Sequence, residues 1–321
     1  MAATGTAPLP ETDVEALRRA LSSVDAGRRR KDMTMRVLVY VAFVLAIIPL
    51  VSLVWSVLGQ GMGRFNWYFL THSMRNIVGG MDAGGVYHAI LGTVLITLLA
   101  TIISVPIGLL TSIYLVEYGS GHLARAVTFF VDVMTGIPSV VAGLFSFALF
   151  YLVVGGQHAR SGFAGAVALS VLMIPVVIRS SEEMLGLVPN QLREASLALG
   201  VPKWLTIVRV VLRTAIAGLT TGVMLAIARV IGETAPLILT VGFTDSINRN
   251  VFSGNMMTLP VYVYSQYAAG LVPCQPADTS CISTINHDRA WSAALTLILV
   301  VMLLNLVARL VSRFFAPKTR A

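Results

Sequence analysis

Six long apolar runs constrain this chain more than any other feature of its sequence. The first covers roughly 36–58, and each run has the ~20 residues that a membrane-spanning helix needs. The others cover roughly 86–116, 126–154, 163–184, 214–243 and 290–315. Only 12% of the residues are charged and the mean hydropathy is +0.81, values that are rare in a soluble domain. The sequence therefore predicts an all-α membrane protein with six transmembrane helices.

Basic residues at the ends of these runs predict the topology. Six spans put both termini on one side of the membrane, and the segments 28–36 and 309–320 on that side are rich in Arg and Lys. Because cytoplasmic flanks carry an excess of these residues, both termini are expected in the cytoplasm. The net charge of +8 is then a topology signal rather than a nucleic-acid footprint.

The cytoplasmic tail, residues 1–35, leaves two structures open. Val14, Leu17, Leu21 and Val24 recur at helical spacing, which favours a short amphipathic helix on the membrane surface. A disordered tail with transient helicity fits the same pattern. No small-residue cleavage site follows the first run, so it is expected to remain as a membrane helix rather than to act as a signal peptide.

An amphiphilic, partly basic segment, Glu194–Arg213, separates the fourth and fifth runs. Pro189 suits the first turn of a short helix, and Gly200 suits a left-handed helix end. Pro202 prevents continuation, and a second helix is expected to begin near Lys203. The predicted topology places this helix–turn–helix segment in the cytoplasm, where a soluble partner can bind it.

Motifs for nucleotide hydrolysis and for metal catalysis are absent from the sequence. No Gly-rich loop ends in Gly-Lys-Ser/Thr, no His-Glu-x-x-His pair occurs, and nothing resembles a serine nucleophile elbow. The histidines are scattered, so surface or interfacial positions are expected rather than a metal site. They are His72, His88, His122, His158 and His287. These absences argue against an intramembrane enzyme.

The segment Glu194–Arg213 resembles the cytoplasmic signature loop of ABC importer permeases. That pattern is Glu-Ala-Ala, three residues, Gly, nine residues, then Ile-x-Leu-Pro. Ser196 replaces the second Ala, Val210 the Ile, and Arg213 the Pro. The residues that match in register are Glu194, Ala195, Gly200 and Leu212. The resemblance implies a coupling helix that docks on an ATPase subunit, and the small residues Ala195 and Ala198 on one face allow close approach.

Three further stretches resemble the phosphate permease subgroup of that family: Asp132–Leu144, Ile174–Leu185 and Ala228–Leu237. Within the last stretch, Gly-Glu-Thr-Ala-Pro-Leu resembles the PstA type of subunit rather than the PstC type. The resemblance covers roughly 85–315 and implies the type I ABC importer permease (MetI-like) fold. It also implies a permease core at 86–315, with a coupling loop at about 186–213 and an outer loop at about 244–289.

By this resemblance, the chain is a non-catalytic permease subunit of an ATP-driven phosphate importer in a bacterial inner membrane. The implied partners are a PstC-like permease subunit, a dimeric PstB-like ATPase and an extracytoplasmic PstS-like phosphate-binding protein. ATP and Mg would bind the ATPase, so this chain is expected to hold no cofactor. Two alternatives stay open: an importer for another oxyanion, such as sulfate or molybdate, and a channel or structural subunit without ATP coupling.

Arg229 and Glu233 are ionisable residues in the fifth run, and Arg229 is expected past the bilayer centre. Arg229 lies ~22 Å along the fifth run from its start near Thr214, at ~1.5 Å per residue. Glu233 follows one helical turn later, so the two are expected to pair. A guanidinium offers a planar fork of donors to phosphate oxygens. A role in the anion path and a permanent structural ion pair are both open.

Arg179 is expected near the cytoplasmic end of the fourth span, with Asp132 at similar depth. The two side chains can therefore form a pair, and Arg179 is either part of the anion path or a positive-inside anchor. Glu182 and Glu183 are expected to be solvated charges at the interface.

The sequence Gly136-Ile-Pro138-Ser139 is expected to break the third span near mid-membrane. Irregular backbone at that depth either lines a cavity or packs on protein. A passing phosphate could meet the free N–H groups of a helix start there, and a plain packing kink is the alternative. Gly232 and Pro236 interrupt the fifth span, so the two breaks are expected to face each other across the path.

Cys274 and Cys281 lie close together in the outer loop. In an oxidising compartment they are expected to form a small disulfide loop, with two free thiols as the alternative.

Overall fold

The computed structural model describes residues 26–156, 159–275 and 279–315, and its regular secondary structure there is helical. The chain divides into two compact units, residues 1–56 and 57–321. The amphipathic helix considered for residues 14–24 lies outside the described residues.

The first unit consists, in its described part, of most of helix α1, Ala26–Gly61. The helix extends beyond the predicted run, 36–58, at both ends. Its apolar side chains are exposed along most of its length, for example Val39, Leu45 and Leu53. An exposed apolar surface of this length is typical of a helix that is surrounded by lipid or by other membrane helices.

The second unit contains the remaining helices, which lie in two groups along the chain. The first group is α2 (Trp67–Thr71), α3 (Tyr87–Ile113), α4 (Gly121–Thr135), α5 (Ser139–Val154) and α6 (Gly162–Gly186). The second group is α7 (Asn190–Ala198), α8 (Lys203–Thr206), α9 (Leu212–Ile231), α10 (Ala235–Thr240), α11 (Leu259–Ala269) and α12 (Ile285–Phe315). A π-helical turn, Tyr114–Tyr118, extends α3, and another, Ile207–Val211, joins α8 to α9.

Five helices of the described residues are long and apolar enough to cross a membrane. The helices α4 and α5 together make a sixth span if they count as one, because only a short break separates them. The helical class and the number of candidate spans therefore agree with the prediction. The third run is not a straight helix, however, since α4 and α5 are bent by 105°.

Helix α6 forms the centre of the second unit and packs against α3, α5 and α9. Its buried face is built from small residues such as Ala164, Ala166 and Ser170, which let neighbouring helices approach closely. Between α5 and α6, the hydroxyl of Ser146 donates a hydrogen bond to the carbonyl of Ala164 at 2.7 Å. Small residues and interhelical hydrogen bonds stabilise such packing where lipid provides no hydrophobic drive.

The fifth span differs from the predicted run, 214–243, at both ends. Continuous helix begins at Lys203 and ends at Ile231. Gly232 caps α9, and Pro236 lies in the first turn of α10, which is a separate short helix. The Gly–Pro spacing therefore ends the span instead of bending it.

Candidate functional site

Arg179 on α6 is the centre of a charged cluster with two carboxylates. Its Nη2 donates to Asp132 on α4, and its Nη1 donates to Glu182 at 2.8 Å. The expected pair of Arg179 and Asp132 is therefore present. The expectation that Glu182 is a solvated charge is wrong, because its side chain is only 18% exposed and is ion-paired. Glu183 is exposed, as expected.

The charged cluster lies directly before the break between α4 and α5. Asp132 is in the last turn of α4, and Gly136 ends that helix. Pro138 is the N-cap of α5, so the backbone N–H groups of Ser139 and Val140 open a new helix start. The side chain of Ser139 is partly exposed, and among the described residues no partner holds it.

Arg229 and Glu233 do not form the ion pair that their spacing predicts. Arg229 is exposed and Glu233 is partly exposed, and neither side chain has a hydrogen bond or ion pair within the described residues. The reason is local, since α9 ends at Ile231 and Glu233 follows the Gly232 cap. Residues four apart share a face only while the helix continues. The guanidinium is therefore available to a partner or an anion.

The two helices that follow the breaks pack directly on each other. A Cβ built on Gly143 of α5 would lie 2.5 Å from the Cα of Pro236 on α10. Only glycine allows this approach of two backbones, so the position is closed to any larger residue. The elements after the two expected breaks are thus in contact.

The segment Glu194–Arg213 forms the expected helix, turn and helix. Pro189 is the N-cap of α7 rather than a residue of its first turn. Gly200 has φ +77°, which confirms the left-handed helix end. Pro202 is the N-cap of α8, and that helix begins at Lys203, as predicted.

The outer face of α7 is free to bind a partner. Glu194, Ala195 and Ala198 are exposed, and so is Gly200 in the turn that follows. Three large apolar residues beside them are also exposed: Leu197, Leu199 and Trp204. Exposed apolar residues around small ones are typical of a docking surface. We call this surface the α7 face.

Leu212 does not belong to the α7 face. It is partly buried against a small apolar cluster that includes Leu185, Val211 and Ala215. At the entry to α9 the helix is irregular without the Pro that Arg213 replaces, because the residues Ile207–Val211 directly before α9 form a π-helical turn.

Sequence reasoning missed the ion pair of Glu117 and Arg193. Glu117 lies in the π-helical turn after α3 and Arg193 on α7, with 2.9 Å between Oε1 and Nε. Beside this pair, Ser196 and Thr206 share a buried hydrogen bond of 2.8 Å between their hydroxyls. The one available signal was a single carboxylate at the end of an apolar run, and it does not identify a partner 76 residues away.

The outer loop is stapled by a disulfide between Cys274 and Cys281, the first of the two expected alternatives. Beside it, the N–H of Ile282 donates to the carbonyl of Gly80 at 2.9 Å. The loop also contains α11, on which burial raises the pKa of the Tyr262 hydroxyl. Among the described residues, no group of three or more His, Cys, Asp or Glu side chains could hold a metal ion.

A family model described as "Binding-protein-dependent transport system inner membrane component" matches residues 104–321, more than half of the chain. The chain belongs to this family. The family description makes it an inner membrane component of a transport system that depends on a binding protein. The candidate spans of the described residues agree with that location.

Curated relatives of this inner membrane component are similar over nearly its full length. It is 46% identical to "Phosphate transport system permease protein PstA 1" of Mycobacterium tuberculosis (strain CDC 1551 / Oshkosh), over 97% of this chain and 99% of that protein. It is 45% identical to PstA of Mycobacterium leprae (strain TN), over 89% and 90% of the two chains. It is 35% identical to PstA of Yersinia pestis, over 91% and 92%. Within the inner membrane components, the chain therefore belongs with the PstA permeases.

Solved structures confirm the fold. A chain of the bacterial alginate ABC transporter, in complex with an alginate pentasaccharide-bound periplasmic protein, has a TM-score of 0.60 and 12% identity. That match covers 89% of this chain and 96% of the other. A chain of the inward-facing MetNI methionine ABC transporter has a TM-score of 0.54 and 19% identity, over 73% and 95%. The MetI-like permease fold is thus shown, and these likenesses carry no statement about the substrate.

Proposed function

We propose that this chain is a transmembrane permease subunit of an ATP-driven importer of inorganic phosphate. The observation that carries the proposal is the 46% identity over 97% of the chain to a phosphate transport system permease protein. The free α7 face supports ATP coupling, since a channel has no need of a docking surface for an ATPase. The chain is non-catalytic in this proposal, and ATP with Mg binds the partner ATPase.

The path for the anion is proposed to run between this chain and a PstC-like permease subunit. Arg229 carries a charge that has no partner among the described residues of this chain, although it lies in a span. A charge there is costly unless it faces a partner or a water-filled path. A phosphate ion that occupies the path provides acceptor oxygens for the N–H groups of the guanidinium.

The Arg179 cluster is proposed to favour phosphate over sulfate. Ionised Asp132 and Glu182 only accept hydrogen bonds. At neutral pH phosphate keeps a P–O–H group and can donate to such a carboxylate, whereas sulfate has no proton to donate. A path with Arg179 between two carboxylates therefore binds a protonated oxyanion and repels one that is fully ionised.

The docking partner of the α7 face is proposed to be a dimeric PstB-like ATPase. Glu194, Ala195, Ala198 and the Gly200 turn make the contact, and Leu212 supports it from the inside. A PstS-like binding protein outside the membrane would deliver phosphate to the opposite end. ATP binding and hydrolysis would move α7 and switch the path between outward-facing and inward-facing states.

Labelled-phosphate uptake tests this proposal in a strain that lacks the gene. The strain is expected to lose high-affinity uptake and to regain it with the gene on a plasmid, without competition from sulfate or molybdate. Competition by either anion would favour the other-oxyanion importer. Uptake that persists after ATP depletion would favour a channel or a structural subunit.

A further inference from the structure

The guanidinium of Arg193 joins α7 to the end of α6 and to the π-helical turn that extends α3. From α7, Arg193 donates through Nε to Glu117 at 2.9 Å and through Nη2 to the carbonyl of Leu185, in the last turn of α6, at 2.9 Å. Its Nη1 donates to the carbonyl of Val188 at 2.6 Å. A cation that binds the last carbonyls of a helix is also stabilised by the helix dipole. Arg193 therefore fixes α7 to the end of α6 and to the end of α3.

The negative charge of Glu117 is compensated by Arg193. Its carboxylate is 6% exposed, and Arg193 is its sole partner among the described residues. Removing one member of a buried ion pair leaves the other charge uncompensated, which is strongly unfavourable. When α7 moves, the carboxylate must therefore follow the guanidinium or the pair must break.

Helix α8, on the other side of the Gly200 turn from α7, also contacts the π-helical turn Tyr114–Tyr118. Lys203, the first residue of α8, donates to the backbone carbonyl of Glu117 and lies 4.6 Å from the ring centroid of Tyr118. The two helices on either side of Gly200 are thus both attached to the end of α3. The buried hydrogen bond between Ser196 and Thr206 keeps the two together.

The attachment point is a π-helical turn, Tyr114–Tyr118. Such turns are rare, occur frequently at functional sites and often mark places where a helix changes its path. A second one, Ile207–Val211, follows α8. The first π-helical turn ends the span that α3 begins, and the second lies within the continuous helix Lys203–Ile231, directly after α8.

Helix α3 continues from this attachment to the opposite end of the unit. Near its start, the hydroxyl of Thr93 accepts a hydrogen bond from the N–H of Leu259 at 2.8 Å, in buried surroundings. Gly92 lies against the carbonyl of Met257 so closely that a Cβ has no room. From Thr93 to Glu117 the helix is ~36 Å long, at ~1.5 Å per residue. Helix α3 and the π-helical turn that extends it thus contact the α7 region at one end, and the start of α11 with the residues before it at the other.

We propose that Glu117 and Arg193 are positioning residues that transmit the movement of α7 to α3, and through α3 to the segment Met257–Leu259. The inference rests on the proposed function, because it assumes that a partner ATPase moves α7. It adds the contact that carries the movement into the membrane and the span that receives it.

The test uses the complete transporter in proteoliposomes, with ATP hydrolysis and labelled-phosphate import measured on the same sample. Glu117→Gln removes the charge with little change of shape. We expect the ATPase to copurify and to hydrolyse ATP as in wild type, with ~10-fold less phosphate imported per ATP, within the usual range of coupling free energies. The matched control is Glu183→Gln, since Glu183 is exposed on α6 and has no side-chain partner among the described residues. It should keep the wild-type ratio.

A second variant covers the case in which Glu117→Gln does not assemble. Glu117→Asp keeps the charge one carbon further from Arg193, and it should assemble and import less phosphate per ATP than wild type. A wild-type ratio in the assembled Glu117 variants would overturn the inference while leaving the proposed function intact. Wild-type transporter that hydrolyses ATP without importing phosphate would instead refute the proposed function.

Discussion

The guanidinium of Arg179 on α6 bonds the carboxylate of Asp132 on α4, 47 residues earlier in the chain. This contact joins two helices. Asp132 lies four residues before Gly136, which caps the end of α4. Glu182 binds the same guanidinium from the next turn of α6. A cation shared by two carboxylates can bind an incoming anion only if that anion displaces or joins them.

Replacing both carboxylates tests this arrangement. In the double variant Asp132→Asn, Glu182→Gln, Arg179 is free to hold phosphate and two charges that repel an anion are gone. This gain outweighs the lost acceptors for the P–O–H group, so we expect the KM for import to fall and the maximal rate to fall as well, because release slows. Uptake kinetics in cells that lack the native gene measure both constants. Glu183→Gln is the control for charge at this end of α6. If Arg179 is only a topology anchor, the double variant will keep both constants.

Arg229→Gln tests the unpaired charge in the fifth span. A hydrogen bond to a charged group contributes ~1.5–3 kcal/mol, so we expect import to fall at least ~10-fold while the complex still assembles. Arg249→Gln in the outer loop is the control, since Arg249 is also exposed and has no partner among the described residues. Normal import by Arg229→Gln, at normal complex yield, would remove Arg229 from the path.

Gly200→Val tests the turn between α7 and α8. A residue with a Cβ costs ~1–2 kcal/mol in the left-handed region, and a β-branched residue more. The turn should shift and reduce both ATPase copurification and import. Gly186→Val is matched, because a Cβ at Gly186 meets nothing within 4 Å and its φ is not left-handed. Unchanged ATPase binding in Gly200→Val would contradict the α7 face as the docking surface.

The disulfide of Cys274 and Cys281 is tested by thiol labelling of intact cells. We expect no labelling without reductant and labelling of both cysteines after reduction. Exchanging both for Ser should destabilise the outer loop by ~2–3 kcal/mol, from the entropy of a short closed loop. Ready labelling before reduction would show that the thiols are free.

The number and approximate positions of the candidate spans could be predicted from the sequence, because a long apolar run is enough to indicate a membrane helix. The helix end at Gly200 and the helix start after Pro202 could also be predicted. Each depends on a property of a single residue, the left-handed backbone that Gly allows and the N–H that Pro lacks. The 105° angle between α4 and α5 was not, because Gly136 and Pro138 allow a break without determining its direction. That direction depends on tertiary packing such as Gly143 against Pro236.

The charged contacts show the same limit. Asp132 and Arg179 could be matched because both were expected at one depth. Arg229 and Glu233 were wrongly paired, since the spacing rule assumes a helix that Gly232 ends. Glu117 and Arg193 could not be paired at all, because each has several possible partners at the predicted interface.

Reconstitution of the purified complex shows whether ATP drives selective phosphate import. Proteoliposomes that contain this chain, its partner permease and the ATPase, with the binding protein outside and ATP inside, are assayed for uptake of labelled phosphate. We expect ATP-dependent accumulation of phosphate that excess sulfate or molybdate does not reduce. Equal competition by sulfate, or phosphate entry without ATP, would contradict it.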